Sequence, residues 1–340
     1  MNISKKFLFI LSLIILIESN VTLSYAAQAN DVINASVLFY NTDDDYIKSL
    51  KENLEKVQED PNNKMSFEYF NAHDSQTIQN NQLNEVLKKK PDIIFLNIVD
   101  ITYIDSVIEK IKLKNIPVVV FNRQPKSLTA IQSYGKSVYV GSNNIDVGIL
   151  QGKIIKKKWD KDKFKIDKNN DNVLQYIMIK GERNNVDTEN RSNYVIKFLK
   201  ESNIKTYELA SEYCNWDRET AKKTLKKLIY GYGNSIEAVI CNNDEMAIGC
   251  VEALQENGYI TQTSNNIIVV GIDGLKEAIK LVEENLMTGT VIQDTTEITN
   301  AMVAIGKNLV YGNKPLKDTK YKFDSTGVCV LLPYTKYIMN

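Results

Sequence analysis

Short unbroken apolar runs alternate along this chain with longer stretches in which apolar residues recur every three or four positions. The runs are SVLFY (36–40), FEYFN (67–71), DIIFLNIV (92–99), IPVVVFN (116–122), SVYVG (137–141), LQYIMIKG (174–181), IEAVIC (236–241), IIVVGID (267–273), TGTVIQD (288–294) and VCVLL (328–332). Between them, Ile47, Leu50, Leu54 and Val57 follow the stripe of a surface helix, and 75–89, 101–113, 144–158, 188–200, 217–229, 243–257, 274–284 and 295–311 read alike. Continuous apolar strands alternating with helices predict parallel sheets covered on both faces. The strands are too many for one compact sheet, so the expected class is α/β with two doubly wound parallel-sheet domains.

Other features change this picture in three ways. The start of the chain carries Lys5 and Lys6, an apolar run from Phe7 to Ile17 and small residues at Ala26, Ala27 and Ala29, the layout of a secretory signal peptide over 1–29. The mature protein then begins near 27–30, unless the segment is kept as an anchor. No cysteine precedes Cys214, so a mature N-terminus offers no thiol for lipid attachment. Acidic and basic residues balance at 42 each, and no basic stripe points to nucleic acid. The four cysteines match no zinc spacing, Cys241 and Cys250 suit buried free thiols at least as well as bridges, and His73 is the only histidine, which leaves histidine-dependent catalysis little to use.

In doubly wound sheets, ligands bind beyond the carboxyl ends of the strands. Polar residues stand at those ends here: Asp43, Asp44, Asp45 and Tyr46; Asn97; Asp187 and Arg191; Asn242, Asn243 and Asp244; Asp273; Gln293 and Asp294. Each alone also reads as a helix cap. Together, without a glycine-rich loop or basic phosphate cradle, they suit a neutral, hydroxyl-rich ligand. Tyr46 and Trp216 add flat faces for the apolar side of a ring. In 167–175, side-chain oxygens at Asp167, Asn169, Asp171 and Gln175, with the carbonyl of Val173, follow the first part of a calcium loop. Asn172 stands at the turn position, and Met178 replaces the expected closing carboxylate, so an Asn/Asp-rich turn joining two elements explains the same residues.

Taken as an ordered set, YNTDDDYIKSL, DIIFLNIVD, VVVFNRQP, YVGSNNIDVGILQG, the stretch 167–191, ICNNDEMAIGCVEAL, VVGIDGLKEAI and GTVIQD resemble the periplasmic galactose/glucose-binding proteins, a type I sugar-binding family of ABC uptake and chemotaxis. The resemblance places the sugar site on Asp44, Tyr46, Asn97, Asn185, Asp187, Arg191, Trp216, Asn243, Asp273 and Gln293. It departs at Asn185, a histidine in the family, at Gln293, an asparagine there, and at Tyr46, where phenylalanine is more usual. It also supplies Glu237 as the missing carboxylate of a structural calcium site formed with Asp167, Asn169, Asp171, Val173 and Gln175.

The family implies a two-lobed clamp. One lobe comprises 30–116 plus 295–323 and the other 117–294 plus 324–340, with chain crossings near Ile116, Asp294 and Phe323. The expected protein is no enzyme. It is an exported monomer, in the periplasm or at the outer face of the cytoplasmic membrane, that closes on a hexose, galactose or glucose, and delivers it to an ABC permease or chemoreceptor. The alternative is a membrane-proximal sensor presenting its closed state to a histidine kinase. A sugar hydrolase built on Asp44, Asp187 and Asp273 is disfavoured because each carboxylate has a hydrogen-bonding role. A repressor is disfavoured because a signal stands where a DNA-binding head would be.

Overall fold

The computed structural model describes residues 32–338, so the expected signal peptide over 1–29 lies outside the described residues. Twelve strands among them form two six-stranded sheets. The first contains β1 (Ile33–Phe39), β2 (Met65–Asn71), β3 (Ile93–Leu96), β4 (Val118–Phe121), β5 (Ser137–Ser142) and β11 (Cys329–Leu332), in the order β11-β5-β4-β3-β1-β2, all parallel. The second contains β6 (Val173–Lys180), β7 (Lys205–Tyr213), β8 (Ala238–Cys241), β9 (Ile268–Asp273), β10 (Gly289–Ile292) and β12 (Thr335–Ile338), in the order β12-β10-β9-β8-β6-β7, with only β12 antiparallel.

Helices cover both faces. They are α1 (Asp45–Glu59), α2 (Gln76–Lys89), α3 (Ile104–Leu113), α4 (Thr129–Gln132), α5 (Asn144–Ile166), α6 (Val186–Glu201), α7 (Arg218–Tyr232), α8 (Asp244–Glu256), α9 (Lys276–Glu283) and α10 (Thr295–Val310). The apolar runs are unbroken because successive strand residues enter opposite cores. Val37, Phe39, Phe95 and Val119 pack on one side of the first sheet, while Leu38, Ile94, Leu96, Val118 and Val120 pack on the other. The second sheet divides the same way, with Ile177, Val239 and Val269 on one side and Met178, Ile240 and Val270 on the other. All four cysteines are buried free thiols, with Cys241 Sγ 3.9 Å from Cys250 Sγ.

The crossings between lobes differ from expectation at two of three places. The strand after Ile116 stays in the first lobe, because β4 pairs with β3 and β5 with β4. The chain leaves instead between β5 and α5, at 142–144. It returns between β10 and α10, at 293–294. Near Phe323 it does not cross, since β11 still pairs with β5, and the last passage is the short link between β11 and β12 at 333–334. The lobes are therefore 33–142 with 295–332, and 144–292 with 335–338. Two strands lacked a clear signal. β7 lies at a sheet edge, its residues half-buried or exposed, and β12 is a four-residue edge strand.

Asp244 holds one end of the second lobe together. Its Oδ2 accepts the N–H groups of Gly274 and Leu275 at 2.7 and 2.8 Å, and its Oδ1 accepts from Thr290 Oγ1 at 2.6 Å. A Cβ at Gly271 would lie 2.2 Å from that Oδ1, so glycine leaves room for the carboxylate. Burial raises the Asp244 pKa to about 6. Asp244→Ala strands one buried and two part-buried donors, and urea unfolding followed by circular dichroism should show a loss of about 3 kcal/mol. An unchanged midpoint would mean that other groups satisfy those donors.

Candidate functional site

Each sheet runs in the order 2-1-3-4-5 plus a sixth strand, which opens a crevice at the carboxyl ends near its first strand. The crevices face each other and share one cavity, lined by Tyr40, Asp44, Tyr46, Ile47, Asn122 and Arg123 from the first lobe. The second lobe contributes Asn185, Asp187, Arg191, Trp216, Asn243 and Asp273, and Gln293 comes from the second crossing. Its volume is about 40 Å³, so the lining side chains stand close together. The structure thus brings together nine of the ten sugar residues named from the sequence.

Asn97 is the exception and does not line the cavity. It is fully buried one residue past β3. Its Oδ1 accepts from Tyr40 N–H at 3.4 Å, and its Nδ2 donates to Phe121 O at 3.3 Å and Asn122 Oδ1 at 3.2 Å. The amide is occupied in tying the ends of β1, β3 and β4 to one another, behind the wall that Tyr40 and Asn122 form.

Helix starts position most of the other groups, so capping and lining are combined in one residue. Asp44 caps α1 by accepting from Ile47 N–H at 3.0 Å while its second oxygen accepts from Tyr40 Oη. Asn185 caps α6 through Asp187 and Thr188 N–H and donates its amide to Glu182 at 3.3 Å. Asn243 caps α8 through Met246 N–H and donates to Trp216 O at 3.1 Å. Trp216 follows Asn215 in the left-handed region, at φ 65° and 53°. That turn lays the indole over Gly181, where a Cβ would lie 2.2 Å from the ring. The Arg191 guanidinium is 5.5 Å from the indole centroid.

Charges are concentrated here and desolvated. Arg191 Nη1 donates to Asn242 O at 2.7 Å and lies 3.7 Å from Asp273 Oδ1. Burial raises the pKa of Asp273 well above, and those of Asp44 and Asp187 above, the usual carboxylate range, with Arg191 opposing the shift at Asp273 and Asp187. Asp187 also accepts from Asn144 Nδ2, whose Oδ1 accepts from Tyr334 Oη at 3.2 Å, so the first and third crossings are wired to the pocket floor. Three buried polar atoms of the lining have no partner: Tyr46 Oη, Arg191 Nε and Gln293 Oε1.

Sequence reasoning missed Tyr40, Asn122 and Arg123. The signal was present, since FNRQP follows a strand, but that strand had been placed in the other lobe. Arg123 stacks 4.4 Å from the Tyr40 ring centroid, donates to Val99 O, and pairs with Glu182 of the opposite lobe.

The loop after α5 and the start of β6 carry five of the six oxygen groups named as calcium ligands, and Glu237, just before β8, is the sixth. Asn170 and Asn172 are left-handed, at φ 58° and 62°. Asp167 accepts from Asp171 and Asn172 N–H at 3.1 and 3.0 Å, and Asp171 accepts from Val173 N–H at 2.8 Å. Glu237 accepts one backbone N–H from each end of the loop, Lys168 and Gln175, both at 2.9 Å. Gln175 Nε2 donates to Asp171, which leaves its Oε1 buried and unpartnered. Among the described residues no three His, Cys, Asp or Glu side chains gather as a metal-holding group.

Across the mouth, Glu245 at the start of α8 faces Asp45 at the start of α1. Burial, reinforced by the Asp45 carboxylate, pushes the Glu245 pKa from its ordinary 4.5 up to about 8; Asp44 adds to the rise and Arg218 opposes it. The folded state thus binds a proton more tightly than the unfolded chain. The associated stability is fully present below about pH 4.5 and is lost as pH rises through about 8. Melting temperature should fall between these pH values by more in the natural protein than in Glu245→Gln. Equal slopes would remove the Asp45–Glu245 pair from the account.

The family model described as periplasmic binding protein domain matches residues 35–314. The D-galactose/methyl-galactoside binding periplasmic protein of Haemophilus influenzae is 32% identical over 299 residues, 88% of this chain and 87% of that protein. The ribose import binding protein of Bacillus subtilis is 23% identical, over 80% of each chain. Among solved structures, an ABC transporter solute-binding protein of Bacillus halodurans with bound myo-inositol shares 21% identity and superposes with a TM-score of 0.74 over 91% of this chain and 95% of that one. A periplasmic one of Actinobacillus succinogenes with bound D-allose shares 19% identity and superposes at 0.75 over 90% and 97%. With two doubly wound lobes facing one polar cavity and the family model spanning both, this chain belongs to the periplasmic binding protein family.

Proposed function

We propose that this protein is exported and binds a monosaccharide between its lobes, presenting the closed, loaded form to an ABC permease. The observation that carries the reading is the cavity into which both lobes direct carboxylates, amides and the guanidinium groups of Arg123 and Arg191, beside Tyr46 and Trp216. Fixed acceptors and donors of this kind suit a ring bearing many hydroxyls. Closure follows because only the closed state makes both sets of contacts, so the ligand shifts an open–closed equilibrium. As a monomer the protein offers the same closed shape to a chemoreceptor.

The proposed ligand is a hexose, galactose or glucose. Support comes from the Haemophilus relative named for D-galactose, and the bound molecules of the structural neighbours share its polyhydroxylated ring. Binding occurs without turnover. Asp44 is held by a helix N-terminus and Tyr40, Asp187 by Asn144, and Asp273 beside Arg191, so each carboxylate serves as a positioned acceptor.

A structural Ca²⁺ in the loop 167–175 is part of the proposal. Asp167 and Glu237 are buried beside each other with Asp171 nearby, and burial, reinforced by the negative charges of the two aspartates, disfavours the Glu237 carboxylate. Gln175 Oε1 is an acceptor with nothing to accept from. Hard oxygens, carboxylate repulsion and an unsatisfied carbonyl oxygen fit a hard divalent cation, held by Asp167, Asn169, Asp171, the Val173 carbonyl, Gln175 and Glu237.

Calorimetry against glucose, galactose, xylose and ribose tests the ligand. At least one hexose should bind, and Trp216→Ala should weaken it by about thirtyfold or more while leaving the fold intact. Undiminished binding by that variant would remove Trp216 from the site. For the metal, the natural protein should gain about 2–3 kcal/mol when calcium is raised to a hundred times its dissociation constant. Glu237→Gln should lose most of that gain. Identical melting in calcium and in chelator would sink the metal claim.

A further inference from the structure

Of the three unpartnered polar atoms in the cavity wall, one belongs to a residue whose assigned work needs no polar atom. Tyr46 lies in the first turn of α1, is 5% exposed, and lines the cavity. Stacking on a sugar requires only the ring, which phenylalanine supplies equally well. The hydroxyl is nonetheless buried, without a hydrogen-bond partner in the protein. It lies within electrostatic reach of Tyr334 and of Asp273, Arg191 and Asp44, three charged residues that line the same cavity.

The other two unpartnered atoms have fixed roles. Gln293 Nε2 donates to Ser142 Oγ at 3.2 Å, which leaves Oε1 as an acceptor. Arg191 Nη1 is engaged with Asn242 O, and its Nε is a donor with no acceptor. A ligand filling the cavity therefore has to donate to Gln293 and accept from Arg191. Only the Tyr46 hydroxyl can do either.

We propose that Tyr46 is a specificity-determining residue whose hydroxyl hydrogen-bonds a ligand hydroxyl, selecting polyols that carry a polar group there over analogues with a bare carbon. This rests on the sugar-binding reading and deepens it. A pocket that offers a buried polar group discriminates against a ligand that leaves it unpaired more strongly than an apolar wall discriminates against an extra group. The carboxylates and Arg191 orient the ring, and Tyr46 reports whether one further position is hydroxylated.

The test is calorimetry of the full chain and of Tyr46→Phe against glucose, galactose, xylose, ribose and the monodeoxy derivatives of glucose and galactose. The variant should bind its best sugar about three to ten times more weakly. One monodeoxy derivative should lose affinity on the natural protein and lose none further on the variant, since both changes remove the same bond. The unliganded variant should melt at the same temperature or higher, because a buried hydroxyl without a partner has been removed. A lower melting temperature would show the hydroxyl to be satisfied within the protein and would overturn the proposal. So would equal or tighter binding of every sugar by the variant, and that result would leave the sugar-binding reading standing. If the natural protein binds no sugar in the series, both readings fall.

Discussion

Arg191 is the group on which the rest of the site depends. A guanidinium is charged at any relevant pH, and this one is buried at the junction of both lobes. It persists there because Asp273, Asp187 and the carbonyl of Asn242 surround it, and those carboxylates persist in turn because it opposes their desolvation. Removing one member would leave a buried charge uncompensated, a greater loss than the pair itself contributes. The cavity is thus a network with vacant bonding capacity at Arg191 Nε, Gln293 Oε1 and Tyr46 Oη.

The apolar cores make that network rigid within each lobe. Each sheet is sealed on both faces by apolar side chains, so neither lobe deforms easily. Across the mouth, the Arg123–Glu182 pair favours closure, and the facing Asp45 and Glu245 carboxylates oppose it unless a proton is shared. In the proposed closure, a balance of this kind would let a small ligand shift the equilibrium between open and closed states.

Element types were legible because unbroken apolar runs and helical stripes are local properties. All ten apolar runs became strands, and the helical stripes became helices. β7 escaped because its edge position buries neither face and its residues carry no apolar period. The lobe boundaries escaped because nothing local distinguishes a strand such as VVVF of β4 that stays in its sheet from one that has crossed. The pairing partner decides, and it is distant in sequence. The misplaced boundary also concealed Asn122 and Arg123, while Asn97 was assigned to the sugar although the ends of β1 and β4 had already claimed its amide.

The sequence by itself determined which residues sit at strand ends and helix starts, and hence which polar groups the carboxyl edge of each sheet can offer, because capping and periodicity act over a few residues. Which of those groups still have an open hydrogen bond follows from the packing of distant elements against one another. Asp44, Asn185 and Asn243 spend part of their capacity on helix caps and neighbours, Asn97 spends its amide on the strand ends around it, and Tyr46, Arg191 and Gln293 each retain an unpaired atom. That division depends on partners brought from other elements and from the opposite lobe, which only the packed chain supplies.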